Sequence, residues 1–239
     1  MKEKRPSKRG PFPFSFILAL VSSVICILTT AGMVHAMEIF SLENGLKYIF
    51  EKRQGTGVVA VQIWVKTGSQ YEQKKIAGVT HFIEHLIFKG TERMKPNEMA
   101  SRIEALGGSI NAFTSYDNTV YYIVIPRKGF EEGMELLLDG VNNPGFPEKE
   151  IEKERKVVLE EIKMGEDDPQ RKLFKELFAA SYEGQPYGRP IIGYTETVSS
   201  MTRQDILAYF AGHYAPDNMT VVVVGDFDEH AARSLIKKY

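Results

Sequence analysis

The pattern of apolar and polar residues divides the chain into short strands and amphipathic helices. Two short β-rich runs, 38–42 and 46–52, flank the turn signal Glu43-Asn44-Gly45. A mostly apolar run at 58–67 predicts a buried strand, and a polar loop at 68–78 follows it. The chain is therefore expected to open with strands that lead, through this loop, to its first helix.

The remainder of the chain continues this alternation. Residues 109–115 and 119–125 predict a β-hairpin, and the continuous apolar run at 218–227 is typical of a buried strand. This order of elements predicts a two-layer α+β domain, in which helices pack on one face of a mainly antiparallel or mixed sheet. The predicted helices cover residues 96–106, 129–142, 149–164, 169–182, 201–214 and the stretch from about 228 to 239.

The first 36 residues depart from this pattern and form a separate segment. Five basic residues lie within the first nine, an apolar run covers 12–34, and Val34-His35-Ala36 offers small residues at the positions a signal peptidase reads. We expect a secretory signal peptide that is removed after Ala36. The run of roughly 20 apolar residues is also long enough for an uncleaved membrane anchor. Both interpretations predict export to the periplasm or the extracellular space, with membrane contact only through this segment.

Composition narrows the classes of function. Of the 239 residues, 26% are charged and 43% are hydrophobic, which is typical of a folded domain with a substantial core. The formal net charge is −1, and removing the basic leader leaves the mature domain, residues 37–239, more acidic. Nothing in this balance favours nucleic acid as a partner. The single cysteine, Cys26, lies in the leader, which excludes disulfides and cysteine metal sites from the mature domain.

Candidate chemistry is concentrated in residues 80–88. If this run is helical, His81 and His85 lie one turn apart on one face, and Glu84 precedes the second imidazole. A catalytic zinc takes three protein ligands and leaves its fourth position to water, from which a neighbouring carboxylate can take a proton. His-x-x-Glu-His is the inverzincin order of these residues. The alternative, a solvated polar face, is disfavoured by the apolar neighbours Phe82, Ile83, Leu86, Ile87 and Phe88.

A third ligand is available in the helix predicted at 149–164. Glu154 and Glu161 lie seven residues apart there, which places them two turns apart on one face. Most glutamates in a helix of this composition are solvated, so the segment by itself predicts an exposed helix. The other glutamates of the run are Glu150, Glu152 and Glu160.

The motif and the later glutamate helix together resemble the pitrilysin/insulinase family of metallopeptidases, which includes the mitochondrial processing peptidases. In that family the third zinc ligand is a glutamate 76 or 77 residues after the second histidine. Another functionally important glutamate lies seven residues before it. Here Glu161 lies 76 residues after His85, and Glu154 is the earlier glutamate. This spacing rejects the adjacent Glu160.

The resemblance implies a role for each of these residues. One Zn²⁺ per chain would be held by His81, His85 and Glu161. Glu84 would be the catalytic general base, and Glu154 would support catalysis. Zinc, rather than manganese or cobalt, follows from the ligand types and the family.

The hairpin predicted at 109–125 is the second point of resemblance. In relatives, the strand that matches 110–114 is an exposed sheet edge beside the zinc, to which the substrate peptide adds as an extra strand. Backbone hydrogen bonds then give a sequence-tolerant grip. The resemblance implies substrate contacts at Asn111 and Ala112, with Phe113 shaping a pocket. A plain structural hairpin is the alternative for each of these residues.

The implied function is a zinc-dependent endopeptidase that hydrolyses peptide bonds in extended or unfolded peptides. Bacterial members of the family usually have two similar halves that close as a clamshell, and we expect only the catalytic half here. The expected partners are the peptide substrate and a second half-domain chain or a second copy. One alternative is a non-catalytic, zinc-containing subunit that binds peptides and needs a partner chain. Another, a metal-free membrane-tethered domain, would make the histidines and Glu161 coincidental.

Overall fold

The computed structural model describes residues 38–239, so the predicted leader at 1–36 lies outside the described residues. These residues form a six-stranded sheet in the order β1-β2-β6-β3-β5-β4. β2 and β6 are parallel and the other neighbours are antiparallel, so the predicted mixed sheet is confirmed. The strands are β1 Ile39–Ser41, β2 Lys47–Lys52, β3 Val58–Val65, β4 Ser109–Thr114, β5 Thr119–Pro126 and β6 Met219–Gly225.

The described residues contain eight α-helices. Two of them position the candidate site: α1, which carries the histidine motif, and α4, which carries the glutamates. The helices are α1 Val79–Ile87, α2 Glu98–Ala105, α3 Phe130–Asn142, α4 Glu148–Asp167, α5 Pro169–Ser181, α6 Thr195–Ser200, α7 Arg203–His213 and α8 Glu229–Lys238.

The two faces of the sheet differ in burial. Along β3, Val59, Val61 and Ile63 are buried in the core shared with the helices, whereas Val58 and Trp64 on the other face are 44% and 36% exposed. This alternation follows from the period of two in a strand. The helices therefore cover one face of the sheet, as the sequence predicts.

Local sequence signals explain the starts of some helices. Asp168 caps α5 by accepting hydrogen bonds from Gln170 and Arg171, and Thr202 caps α7, as predicted. The start predicted for α2 at Pro96 is two residues early, because Asn97 adopts a left-handed conformation with φ 64°. The short helix α6 was not predicted. No helix among residues 38–239 is long and apolar enough to cross a bilayer.

The N-terminus of α1 requires a glycine. Gly78 has φ 94°, in the left-handed region, and a Cβ there would lie 2.5 Å from the carbonyl oxygen of Ile192. This close approach packs the start of the histidine helix against the loop before α6. The loop therefore forms part of the surroundings of the site.

Candidate metal centre

Helix α1 presents its two histidines on one face and its apolar residues on the other. The rings of His81 and His85 lie with centroids 4.7 Å apart. The opposite face is buried in the core through Phe82, Ile83 and Leu86. The apolar face therefore fixes the rotation of the helix and turns both imidazoles toward α4.

The structure brings Glu161 of α4 to these two imidazoles. Its Oε2 lies 3.9 Å from His81 Nε2 and 3.6 Å from His85 Nε2. One ligand atom from each of the three residues lies within 4.8 Å of the others. Ligands bound tetrahedrally at zinc distances lie about 3.3 Å apart. Two imidazoles and a carboxylate at this spacing fit a three-ligand zinc site, whereas the adjacent Glu160 is exposed and outside the cluster.

The ionisation of His81 suits metal binding. Burial, reinforced by the nearby His85, lowers the pKa of His81 to about 3. The imidazole is therefore neutral at neutral pH, which is the form that binds a metal. Its Nδ1 is buried without a hydrogen-bond partner among the described residues, so packing holds this ring.

The second histidine is held by a carboxylate. His85 Nδ1 donates a hydrogen bond to Glu154 Oε2 at 3.3 Å, which leaves Nε2 free to face Glu161. Glu154 is buried, and Lys89 Nζ lies 2.9 Å from its Oε1. A carboxylate in this position fixes the tautomer and the ring orientation of a metal-binding histidine. Glu154 thus acts through His85 as a positioning residue, and Lys89 neutralises it.

Glu84 lies on the same helix and faces the sheet edge. Thr114 of β4 donates a hydrogen bond to Glu84 Oε2 at 2.5 Å. Burial raises the pKa of Glu84, although the Thr114 hydrogen bond opposes this shift. A carboxylate with a raised pKa is better matched to proton transfer near neutral pH than a solvated one.

A second buried glutamate, Glu72, caps the histidine helix. Its two carboxylate oxygens accept hydrogen bonds from the N–H groups of Gly78, at 2.8 Å, and Thr80, at 2.9 Å. Burial raises the pKa of Glu72 to about 7. Tyr209 of α7 accepts a hydrogen bond from the Thr80 hydroxyl, which adds a second anchor beside His81.

Sequence reasoning missed three of these supporting residues. Lys89 follows His85 by four residues, and this helical spacing could have predicted that the two side chains lie on the same side. Thr114 and Glu72 reach the motif only through the fold. Glu72 lies in the segment predicted as a polar loop, which instead contains two 3₁₀ turns.

The strand predicted to bind substrate, β4, is at the edge of the sheet. The N–H of Ala112 donates to the side-chain oxygen of Asn111 at 2.8 Å, which places this N–H on the unpaired side of the strand. Ala112 itself pairs with the buried Tyr121 on the helix-covered face. Phe113 points to the other face, where its ring packs edge-on against Trp64 with centroids 6.2 Å apart. The structure therefore brings the β4 backbone to the site but not the Phe113 ring.

Comparisons with known proteins agree with this geometry. The family model described as insulinase (peptidase family M16) matches residues 47–195, and a model described as the peptidase M16 inactive domain matches residues 200–239. An uncharacterized zinc protease of Mycobacterium leprae is 37% identical over 199 residues, which is 83% of this chain and 45% of the relative. The beta subunit of the mitochondrial-processing peptidase of Rattus norvegicus is 35% identical over 79% of this chain and 38% of the relative.

A solved structure gives the same result for the fold. The crystal structure of a protease from Helicobacter pylori superposes with a TM-score of 0.81 and 32% identity. The match covers 85% of this chain and 49% of that one. The chain thus spans about half the length, or less, of these relatives. On the extent of the family match and the level of identity, the chain belongs to the insulinase family of peptidases, family M16.

Proposed function

We propose that this chain is the catalytic domain of a zinc-dependent endopeptidase that hydrolyses extended or unfolded peptides. The observation that carries the proposal is the meeting of His81, His85 and Glu161 beside the partly buried Glu84. Two imidazoles and one carboxylate as ligands, with a second carboxylate nearby as a base, are the components of a hydrolytic zinc site. Membership of a peptidase family supports the reaction class.

The chain's own residues supply the proton transfers. When bound, zinc would polarise the scissile carbonyl and lower the pKa of water. Glu84 takes a proton from the attacking water and delivers it to the leaving amine. Thr114 holds Glu84 by its hydrogen bond, and Glu154 orients His85. His81, His85 and Glu161 would hold the ion, one per chain.

The edge strand β4 provides the peptide-binding element. An extended peptide adds to a sheet edge through backbone hydrogen bonds, which tolerate many sequences. The N–H of Ala112 is available once the Asn111 side chain moves away from it. Because Thr114 of the same strand contacts Glu84, a peptide bound here lies next to the proposed base.

A second candidate function is a non-catalytic subunit that binds peptides and zinc and needs a partner chain. Helix α5, next to the site, has no buried residue, and Leu173 and Leu177 on it are 64% and 52% exposed. We propose that a second half-domain, from a partner chain or a second copy, covers this surface. Peptide hydrolysis is assayed with and without an added partner half. A peptidase hydrolyses peptide in at least one of these assays, whereas a non-catalytic subunit does so in neither.

Replacing Glu84 tests the catalytic proposal directly. Glu84→Gln keeps the shape of the side chain but removes its basicity, so we expect zinc to remain bound and hydrolysis to fall by about 10²–10⁴-fold. Metal analysis and a chelator-sensitive fluorogenic peptide assay measure the two effects. Full activity in this variant would rule out Glu84 as the base.

Two adjacent glutamates on α4 provide a matched test of the ligand set. Glu161→Gln removes a proposed ligand, and Glu160→Gln changes an exposed neighbour in the same helix. We expect loss of zinc only in the first variant. Equal zinc content in both would reject Glu161 as a ligand.

We also propose that the protein is exported. The basic start, the apolar run at 12–34 and the small residues before residue 37 support this. Cell fractionation, with mass determination of the recovered chain, distinguishes a cleaved leader from a retained anchor. Recovery of the intact chain in the cytosol would reject export.

A further inference from the structure

A groove with a volume of about 590 Å³ includes the candidate metal centre in its wall. His81 and Glu161 line it, together with Thr114, the residue that holds Glu84. The rest of the wall comes from the end of α4, one face of α5 and the loop before α6. A peptide whose scissile bond reaches the metal ligands therefore places a neighbouring side chain in this groove.

Most of the wall away from the metal ligands is apolar. Phe174 and Phe178 lie one turn apart on α5 and both line the groove, with Ile162 of α4 and Ile192 of the loop. The Phe178 ring stacks on Tyr116 at the tip of the β4–β5 hairpin, with centroids 5.4 Å apart and an interplanar angle of 3°. This stack fixes one side of the groove. Phe174 is 52% exposed, so it offers uncovered apolar surface to an entering side chain.

The charges along the groove include one exposed arginine whose ion-pair partner lies outside the groove. Lys175 forms an ion pair with Glu166, so their charges cancel. Glu161 belongs to the proposed ligand set. Arg171 also lines the groove, its side chain is 68% exposed, and it lies 3.6 Å from Asp168. Asp168 does not line the groove, and it accepts hydrogen bonds from two N–H groups at the start of α5.

We propose that this groove determines substrate preference: it takes a large apolar side chain beside the scissile bond and favours an acidic over a basic residue next to it. Phe174 supplies the apolar contact, and Arg171 supplies the charge selection. The inference rests on the proposed function and specifies the substrate class of the same site. The preferred peptides have a large apolar residue followed or preceded by an acidic residue, and helix α5 recognises both.

Peptide binding tests the inference without relying on turnover. Full-length, zinc-loaded protein carrying Glu84→Gln is titrated with fluorescein-labelled peptides of one length, which hold Phe or Ala at one position and Glu or Lys at the next. Fluorescence anisotropy gives the affinities. Adding Phe174→Ala should weaken binding of the Phe peptides about ten-fold and leave the Ala peptides nearly unchanged.

The charge selection has its own variant and control. Arg171→Glu should change a preference of about three-fold for the Glu peptides into a similar preference for the Lys peptides, as expected for an exposed ion pair. Leu173→Ala, on the same helix but outside the groove, should change neither preference. Cleavage of the same peptides by the unmodified chain, followed by mass spectrometry, locates the scissile bond relative to the Phe.

Each other outcome contradicts a stated part of the proposal. Cleavage with unchanged peptide preferences in Phe174→Ala and Arg171→Glu overturns the inference and leaves the peptidase function standing. Equal effects of Leu173→Ala and Phe174→Ala also overturn it. If Phe174→Ala changes the mass of the protein in solution by light scattering but not peptide affinity, a second copy occupies the groove instead. If no peptide is bound or cleaved, both the inference and the proposed function fail.

Discussion

Two of the helices that line the groove, α1 and α5, are built in opposite ways. Six of the nine residues of α1 are buried: Val79, Thr80, Phe82, Ile83, Leu86 and Ile87. None of the thirteen residues of α5 is buried, and the side chains of Leu173, Phe174 and Leu177 are exposed. The helix that carries the proposed zinc ligands and base is thus held by the core, whereas the helix assigned to recognition lies on the surface.

This difference matches what each helix has to do. Metal ligands and a base must be held to within about half an ångström, and buried packing with hydrogen-bonded support provides this precision. A recognition surface needs accessible apolar area, which a buried helix cannot offer. Helix α4 joins the two environments, since Glu154 is buried beside Lys89 whereas the Glu161 side chain is 37% exposed.

The largest effect is expected from opening a cavity beneath the histidines. Phe82 is fully buried, so Phe82→Ala should lower the free energy of unfolding by about 3–5 kcal/mol. Ile83→Val removes a single methylene from the same face and should lower it by about 1 kcal/mol. Urea unfolding with chelator present measures both. Equal, small effects would mean that α1 is not held by its apolar face.

The cap of α1 should make stability depend on pH. In the folded state Glu72 has a pKa of about 7, raised by burial above its ordinary value of 4.5. The folded state therefore binds this proton more tightly than the unfolded state. Protonation of Glu72 stabilises the folded state fully below about pH 4.5, and this contribution is lost as the pH rises through 7. The expected loss is about 3 kcal/mol. Glu72→Gln does not titrate and should lack this component.

Comparing the unmodified chain with Glu72→Gln isolates the contribution of Glu72 to the pH dependence of stability, because the other titrating groups are common to both. The difference in unfolding free energy between the unmodified chain and Glu72→Gln is measured from pH 4 to pH 8 with chelator present. Parallel curves would show that Glu72 has an ordinary pKa in the folded protein.

A smaller effect, on metal affinity, is expected from the buried end of α4. Glu154→Gln weakens the acceptor that holds His85 Nδ1, so zinc affinity should fall by about 10–100-fold. Glu152→Gln changes an exposed carboxylate of the same helix and should leave the affinity unchanged. Competition with a zinc-binding dye measures both. Unchanged affinity in Glu154→Gln would mean that packing alone orients His85.

The contrast between the helices also explains what the sequence could predict. The histidine spacing and its apolar neighbours predict α1, because the helical period and the apolar character of these residues can be read from the local sequence. Glu161 could be selected only through the family resemblance, because the five glutamates of the helix predicted at 149–164 differ in their distant neighbours and not in their local sequence. The same limit applies to Thr114, whose contact with Glu84 depends on how β4 is placed against α1.

The sheet order shows a similar limit. The apolar run at 218–227 correctly predicts a buried strand, but its place between β2 and β3 depends on pairings across most of the chain. Helix α6 was missed because its sequence TETVSS has little apolar periodicity. It is stabilised by a capping interaction in which Thr197 bonds the Tyr194 backbone. The formation of such a short helix depends on its contacts in the folded protein rather than on a periodic apolar pattern in its sequence.

The smallest effect on stability is expected on α5. Leu173 is 64% exposed, so Leu173→Ala removes little buried area and should change the free energy of unfolding by less than about 0.5 kcal/mol. Urea unfolding of this variant beside Phe82→Ala measures the contrast between the two helices. If a second half-domain covers α5, the same substitution should weaken association with that partner in a titration. A loss of 2 kcal/mol or more in the isolated chain would place Leu173 in the core and remove the distinction between the helices.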